Sequence, residues 1–118
     1  MNVLKLLQWQ VNGYPRYHRS RGNLLIHIIA VPLFWGASVC FILACLDLSV
    51  IAGLIAVAAM VLSIALQGRG HKLEEIPPEP FTGRSNALAR IVLEQWITFP
   101  RFLLSGGWMK ALRNCRRK

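Results

Sequence analysis

Two uninterrupted apolar stretches dominate the chain, over residues 24–46 and 48–67, separated only by the turn at Asp47. In the first, His27 is the only side chain able to carry a charge near neutral pH, and the second has none. A helix needs about 20 apolar residues to cross the hydrocarbon core of a bilayer. The pattern therefore predicts a single-domain, all-α membrane protein built on a two-span helical hairpin, with Pro32 kinking the first span. Residues 1–23 mix apolar and polar positions and predict an N-terminal interfacial segment. It divides into a short helix from about Val3 to Val11, a loop through "NGYP", and a second short helix starting at Pro15, which suits the first helical position. That helix ends near Gly22, and Asn23 then caps the first span. Residues 68–86 form a loop rich in His, Glu and Pro, in which "IPPEPFTG" cannot be helical. Over residues 87–108 the apolar run is broken by Arg90, Glu94, Pro100 and Arg101, which excludes a plain third span. With Trp96, Phe99, Phe102 and Trp108 it predicts an amphipathic helix, interfacial or re-entrant. Residues 109–118 form a basic tail.

Composition and charge sharpen this picture. The chain has 118 residues, 54% of them hydrophobic, and would bury only a modest core if it were soluble. The formal charge of +9 is distributed, not clustered: Lys5, Arg16, Arg19 and Arg21 precede the first span, and the other basic residues follow the second. By the positive-inside rule both termini face the cytoplasm. The expected location is the cytoplasmic (inner) membrane of a bacterium or the endoplasmic reticulum membrane of a eukaryote. A signal peptide is a poor account of the first span, because the polar lead is long and no small-residue cleavage site precedes the second span. The tail "RNCRRK" reads as attracted to anionic lipid, and nucleic acid is not an expected partner. Cys40, Cys45 and Cys115 have neither disulfide-framework nor zinc-ribbon spacing.

The candidate chemistry lies with the three histidines, His18, His27 and His71. His27 sits about 6 Å along the helix axis from Asn23, at a rise of about 1.5 Å per residue. His71 lies one turn beyond Gln67, at the same end of the hairpin, so the two imidazoles should share a depth on neighbouring helices. Asn23 and His27 share a helix face, and His71 would share one with Glu74 or Glu75 if the second span continued past Gln67. His18 and His27 would lie on opposite sides of one continuous helix, so a break near Gly22 is needed to turn His18 inward. Three imidazoles and a carboxylate suit iron, zinc or another first-row metal. The plainer alternative makes His27 an interfacial residue, His18 a surface residue and His71 a partner of a loop carbonyl. Glu74, Glu75 and Glu79 would then neutralise Arg69, Lys72 and Arg84.

Taken in order, "YHRSRGNLLIHIIAVPLFW", "QGRGHKLEEIPPEPF" and "LEQWITFPRFLLSGGW" resemble a small membrane family of Fe(II)-dependent 2-hydroxy-fatty-acid (2-hydroxypalmitate) dioxygenases, long catalogued as a domain of unknown function. The resemblance rests on Tyr17, His18, Asn23, His27, Pro32, Gln67, Gly70, His71 and Glu74 or Glu75, and covers Tyr17 to Trp108. It implies Fe(II), molecular oxygen and a 2-hydroxy long-chain fatty acid that loses one carbon by α-oxidation. It further implies His18, His27 and His71 as iron ligands, with Glu74 as a fourth ligand or a catalytic base and Glu75 as its close alternative. Asn23 would orient His27 or a metal-bound water, and Arg19, Arg21 or Arg101 would pair with the substrate carboxylate. The lipid bilayer is the expected environment, and a two-span chain is compatible with a homo-oligomer. Two other classes stay open: a holin-like or accessory membrane protein, and a metal- or haem-binding membrane protein without dioxygenase activity.

Overall fold

A computed structural model describes residues 2–115. Met1 and the last three residues of the expected basic tail, Arg116, Arg117 and Lys118, lie outside the described residues. Among the described residues all regular structure is helical: α1 (Val3–Tyr17), α2 (Arg21–Leu46), α3 (Val50–His71), α4 (Arg84–Leu93), a π-helical turn (Glu94–Thr98), α5 (Phe99–Leu104) and α6 (Gly107–Asn114).

Helices α2 and α3 are each long and apolar enough to cross a membrane, and they pair antiparallel. The pair buries little of its large apolar surface. Large apolar side chains such as Ile29, Ile42, Ile51, Leu54 and Val61 point outward, while small or polar residues face the partner helix. On α2 the buried residues Asn23, Ala30, Ala37 and Ala44 recur at heptad spacing, as do Ala56, Ser63 and Gly70 on α3. Small residues at this spacing let two apolar helices approach closely where lipid offers no hydrophobic drive to pair them. The Ser63 hydroxyl donates to the Ala30 carbonyl across the seam.

The seam is tightest at Gly70. A Cβ there would overlap Asn23 Oδ1 and lie 3.4 Å from the Asn23 Cα. Overpacking of this kind costs about 1–3 kcal/mol. Gly70→Ala is therefore expected to lower the thermal midpoint of the detergent-solubilised protein, followed by circular dichroism. An unchanged midpoint would mean that the helices separate without cost at this level.

Several local expectations are corrected. Helix α1 runs unbroken through "NGYP" to Tyr17, with Pro15 inside its last turn. A proline so near the end removes a single intrahelical bond, and Tyr14 is anchored in the core beside Leu24, Val31, Phe99, Phe102 and Trp108. The first span starts at Arg21, with Ser20 at the N-cap position, so Asn23 stands inside the helix and does not cap it. Gly22 is also helical; a Cβ there would lie 2.6 Å from Leu73 Cδ1. The chain break that turns His18 inward thus falls ahead of Gly22, at His18, where φ −131° and ψ 68° end α1. Helix α2 continues past Pro32 to Leu46, and α3 extends beyond Gln67 to include His71. Residues 72–83 are non-helical, which agrees with the proline pattern. The segment expected as one helix over 87–108 starts earlier, at Arg84, and ends at the Ser105–Gly106 turn, where Gly106 takes φ 86°.

Candidate metal centre

Three segments bring the histidines to one point. His18 ends α1, His27 lies nearly two turns into α2 and His71 closes α3. The ring centroids are 4.9 Å apart for His18–His27, 4.8 Å for His18–His71 and 5.1 Å for His27–His71, with ring planes near perpendicular. His18 and His27 are buried. The His18 Nδ1 is 2.8 Å from the Tyr14 carbonyl and the His27 Nδ1 3.0 Å from the Asn23 carbonyl. A carbonyl accepts only, so each Nδ1 carries the proton and each Nε2 presents a lone pair. This tautomer is the one that backbone carbonyls set in metal-binding histidines.

The fourth member is Glu94, at the start of the π-helical turn. Its Oε2 lies 3.4 Å from His18 Nε2 and 3.5 Å from His27 Nε2, and accepts a 2.8 Å hydrogen bond from the Tyr14 hydroxyl. The Tyr14 ring stacks on His18 at a centroid distance of 3.6 Å. Burial, with Glu94 beside it, pushes the Tyr14 phenol well above its ordinary value, so it remains a donor. Burial lowers His18 below the usual imidazole range against the pull of Glu94. Burial opposes the charge on Glu94, and only protonated imidazoles at His18 and His27 would hold its carboxyl well below the usual range.

The donor set fits a divalent first-row ion. His18 Nε2, His27 Nε2 and His71 Nδ1 are buried with no hydrogen-bond partner, and an unpaired buried polar group costs about 1–3 kcal/mol. One ligand atom from each of His18, His27, His71 and Glu94 can be chosen so that all four lie within 4.8 Å of one another. Ligands of a tetrahedral ion, at bonds of about 2.1 Å, stand about 3.4 Å apart. The Glu94–His18 and Glu94–His27 pairs already have that separation, and the wider pairs would close by about 1 Å around an ion. Imidazole with carboxylate suits zinc, iron and their neighbours.

The π turn is what presents Glu94. The Phe99 amide bonds back to the Glu94 carbonyl, five residues earlier. The next carbonyl, that of Gln95, would need the amide of residue 100, which is proline and has none. The Trp35 indole Nε1–H supplies the missing donor at 2.6 Å. The Gln95 side chain pairs reciprocally with Gln67, at 2.9 Å in both directions, tying the turn to α3 four residues before His71. Pro100 and these partners thus fix a register in which Glu94 faces the imidazoles. π-Helical turns recur at functional sites for this reason.

Glu74, expected as the fourth ligand or base, is placed elsewhere. It accepts the backbone amides of Arg19 and Ser20 at 3.0 Å and the Asn23 side-chain amide at 2.7 Å. It occupies the N-terminal end of α2, where the helix dipole favours an anion, and is committed to holding the His18–Asn23 turn. Glu75 lies outside the four-residue group. The backbone carbonyl of Asn23 accepts from His27 Nδ1, as that of any residue there would, while its side chain donates to Glu74. Arg19, Arg21 and Arg101 are exposed, and Arg19 lines a larger groove with Arg16 and Lys110, away from the histidines. The arginine that does share a pocket with His18, His71 and Glu94 is Arg90. Burial lowers its value against the pull of Glu94 and Glu79.

No family model, curated protein or solved structure matches this chain.

Proposed function

We propose that the chain is a membrane metalloenzyme that uses Fe(II) and O2 to convert 2-hydroxy long-chain fatty acids to the acid one carbon shorter. The observation that carries the metal site is the convergence of three imidazoles with buried, partnerless nitrogens and one carboxylate. The choice of iron and of the substrate rests on the family resemblance described above.

In this reading α2 and α3 cross the bilayer with both termini cytoplasmic, and the segment from α4 to α6 lies in the cytoplasmic interface. The basic residues flanking the hairpin support that orientation. The His cluster then sits at head-group depth, where a fatty acid presents its carboxylate and 2-hydroxyl. His18, His27, His71 and Glu94 would hold the iron, which would supply a Lewis-acidic, redox-active centre. The chain's own residues do the rest. Tyr14 keeps Glu94 Oε2 oriented through its hydroxyl. The backbone carbonyls of Tyr14 and Asn23 fix the imidazole tautomers. Phe99 and Phe102, beside His27 and His18, keep water from the inner side. With O2 as sole oxidant the reaction balances as cleavage of the C1–C2 bond: C2 becomes the new carboxyl, C1 leaves as CO2, and the remaining oxygen and hydrogens leave as water.

The test is metal analysis of anaerobically purified protein, followed by oxygen uptake with 2-hydroxypalmitate. About one iron per chain, with substrate-dependent oxygen uptake and a one-carbon-shorter acid as product, is the expected result. Trace metal only would sink the reading. Stoichiometric metal without oxygen uptake would favour a non-catalytic metal-binding membrane protein, a class the same cluster equally supports.

A further inference from the structure

The approach to the cluster is a pocket of about 60 Å³, bounded by His18, His71 and Glu94 together with Trp9, Glu79 and Arg90. Arg90 is held there with unusual firmness. Its guanidinium carbon lies 4.5 Å from the centroid of the Phe81 ring and 5.1 Å from that of Trp9. Its two terminal nitrogens donate to the carbonyls of Pro80, at 3.2 Å, and Glu79, at 2.8 Å. These bonds use two of the five N–H donors of a guanidinium. Among the described residues no carboxylate lies within 4 Å of it to form an ion pair. A guanidinium fixed by aromatic faces and carbonyls, with donors to spare, is preorganised to grip a planar oxyanion.

We propose that Arg90 is the residue that recognises the carboxylate of the ligand entering this pocket, making it a carboxylic-acid subsite beside the metal centre. The inference rests on the metal reading for the role of the neighbouring histidines. It assigns the anion-reading role to an arginine of α4 and not to those flanking the first span. Charge makes the two sites interdependent. Arg90 alone faces two carboxylates, Glu79 and Glu94, so the pocket is net negative until a divalent ion reverses the balance. Metal should therefore strengthen acid binding, and acid should strengthen metal binding by the same factor.

The alternative is that Arg90 merely ties residues 79–81 to α4. The two roles separate in the ratio of affinities for an acid and its neutral isostere. The full chain, in detergent and loaded with redox-inert Zn(II), is titrated calorimetrically with 2-hydroxyoctanoate and with 2-hydroxyoctanamide. The wild type is expected to prefer the acid by about tenfold or more, the scale of one charge-assisted pair. Arg90→Gln should cut that preference severalfold, weakening the acid far more than the amide. Arg90→Lys, which keeps the charge but loses the fork, should fall between them. An Arg90→Gln chain that keeps the preference, or loses acid and amide alike, overturns the proposal, as does a wild type with no preference. Zinc content measured on the same samples separates this from the metal reading. A chain that takes up no zinc, yet whose acid preference falls with Arg90→Gln, keeps the subsite and sinks the metal centre.

Discussion

A chain carrying His18→Ala, His27→Ala and His71→Ala together is expected to purify without metal, and Glu94→Ala alone to weaken metal binding by at least about 100-fold. The first outcome follows from the donor set: nothing but one carboxylate is left to hold an ion. The second follows from charge. Three neutral imidazoles offset none of the charge of a divalent ion, and Glu94 is the only carboxylate in the group. Folding should survive both changes. In the metal-free chain His18 Nε2, His27 Nε2 and His71 Nδ1 are buried without partners, so removing the rings relieves about 1–3 kcal/mol per nitrogen while opening cavities that cost a similar amount. Metal analysis by mass spectrometry, beside far-ultraviolet circular dichroism, reads both effects. A Glu94→Ala chain that keeps full metal occupancy at low free metal would remove Glu94 from the ligand set. Full occupancy in the triple variant would place the metal elsewhere.

How far the centre was legible in the sequence depended on which geometric rule each residue obeyed. His27 and His71 could be paired in depth because a hairpin of two long apolar helices has one register to within a turn, and both lie a turn from the same end. His18 required a chain break, and the sequence suggested one near Gly22. The structure breaks at His18, because Gly22 is needed inside α2 where Leu73 crosses it. Glu94 was visible only as an interruption of an apolar run, although an acidic residue among Leu93, Trp96 and Ile97 is itself a signal, since such a charge is seldom buried without a partner. What the sequence could not show is its direction. That depends on the π register imposed at Pro100, where the orphaned Gln95 carbonyl is met by Trp35 from another helix. Glu74 was favoured for its closeness to His71, but α3 ends at His71, so helical spacing no longer applies three residues later.

Glu74→Ala is expected to destabilise the fold by about 3 kcal/mol and to weaken metal binding without changing the number of ions bound at saturation. The carboxylate serves three donors from α2 and its approach, the amides of Arg19 and Ser20 and the side chain of Asn23. Hydrogen bonds to a charged group contribute about 1.5–3 kcal/mol each. Water can replace part of this at Arg19, which is exposed, but less at Asn23, which is buried. Loosening that turn frees His18, whose hydrogen bond and closest ring contact are both with Tyr14. Misplacing one ligand through its supports typically costs about 10–100-fold in metal affinity. Glu74→Gln, which keeps an acceptor but loses the charge, should lie between Ala and the wild type. The comparison with Glu94→Ala distinguishes a positioning carboxylate from a liganding one. Thermal melts of the metal-free chains should fall for Glu74→Ala and change less for Glu94→Ala, while metal affinities should rank the other way. If instead Glu74→Ala lost its metal with an unchanged melting temperature, Glu74 would be a ligand, and the turn it bridges would be held by other contacts.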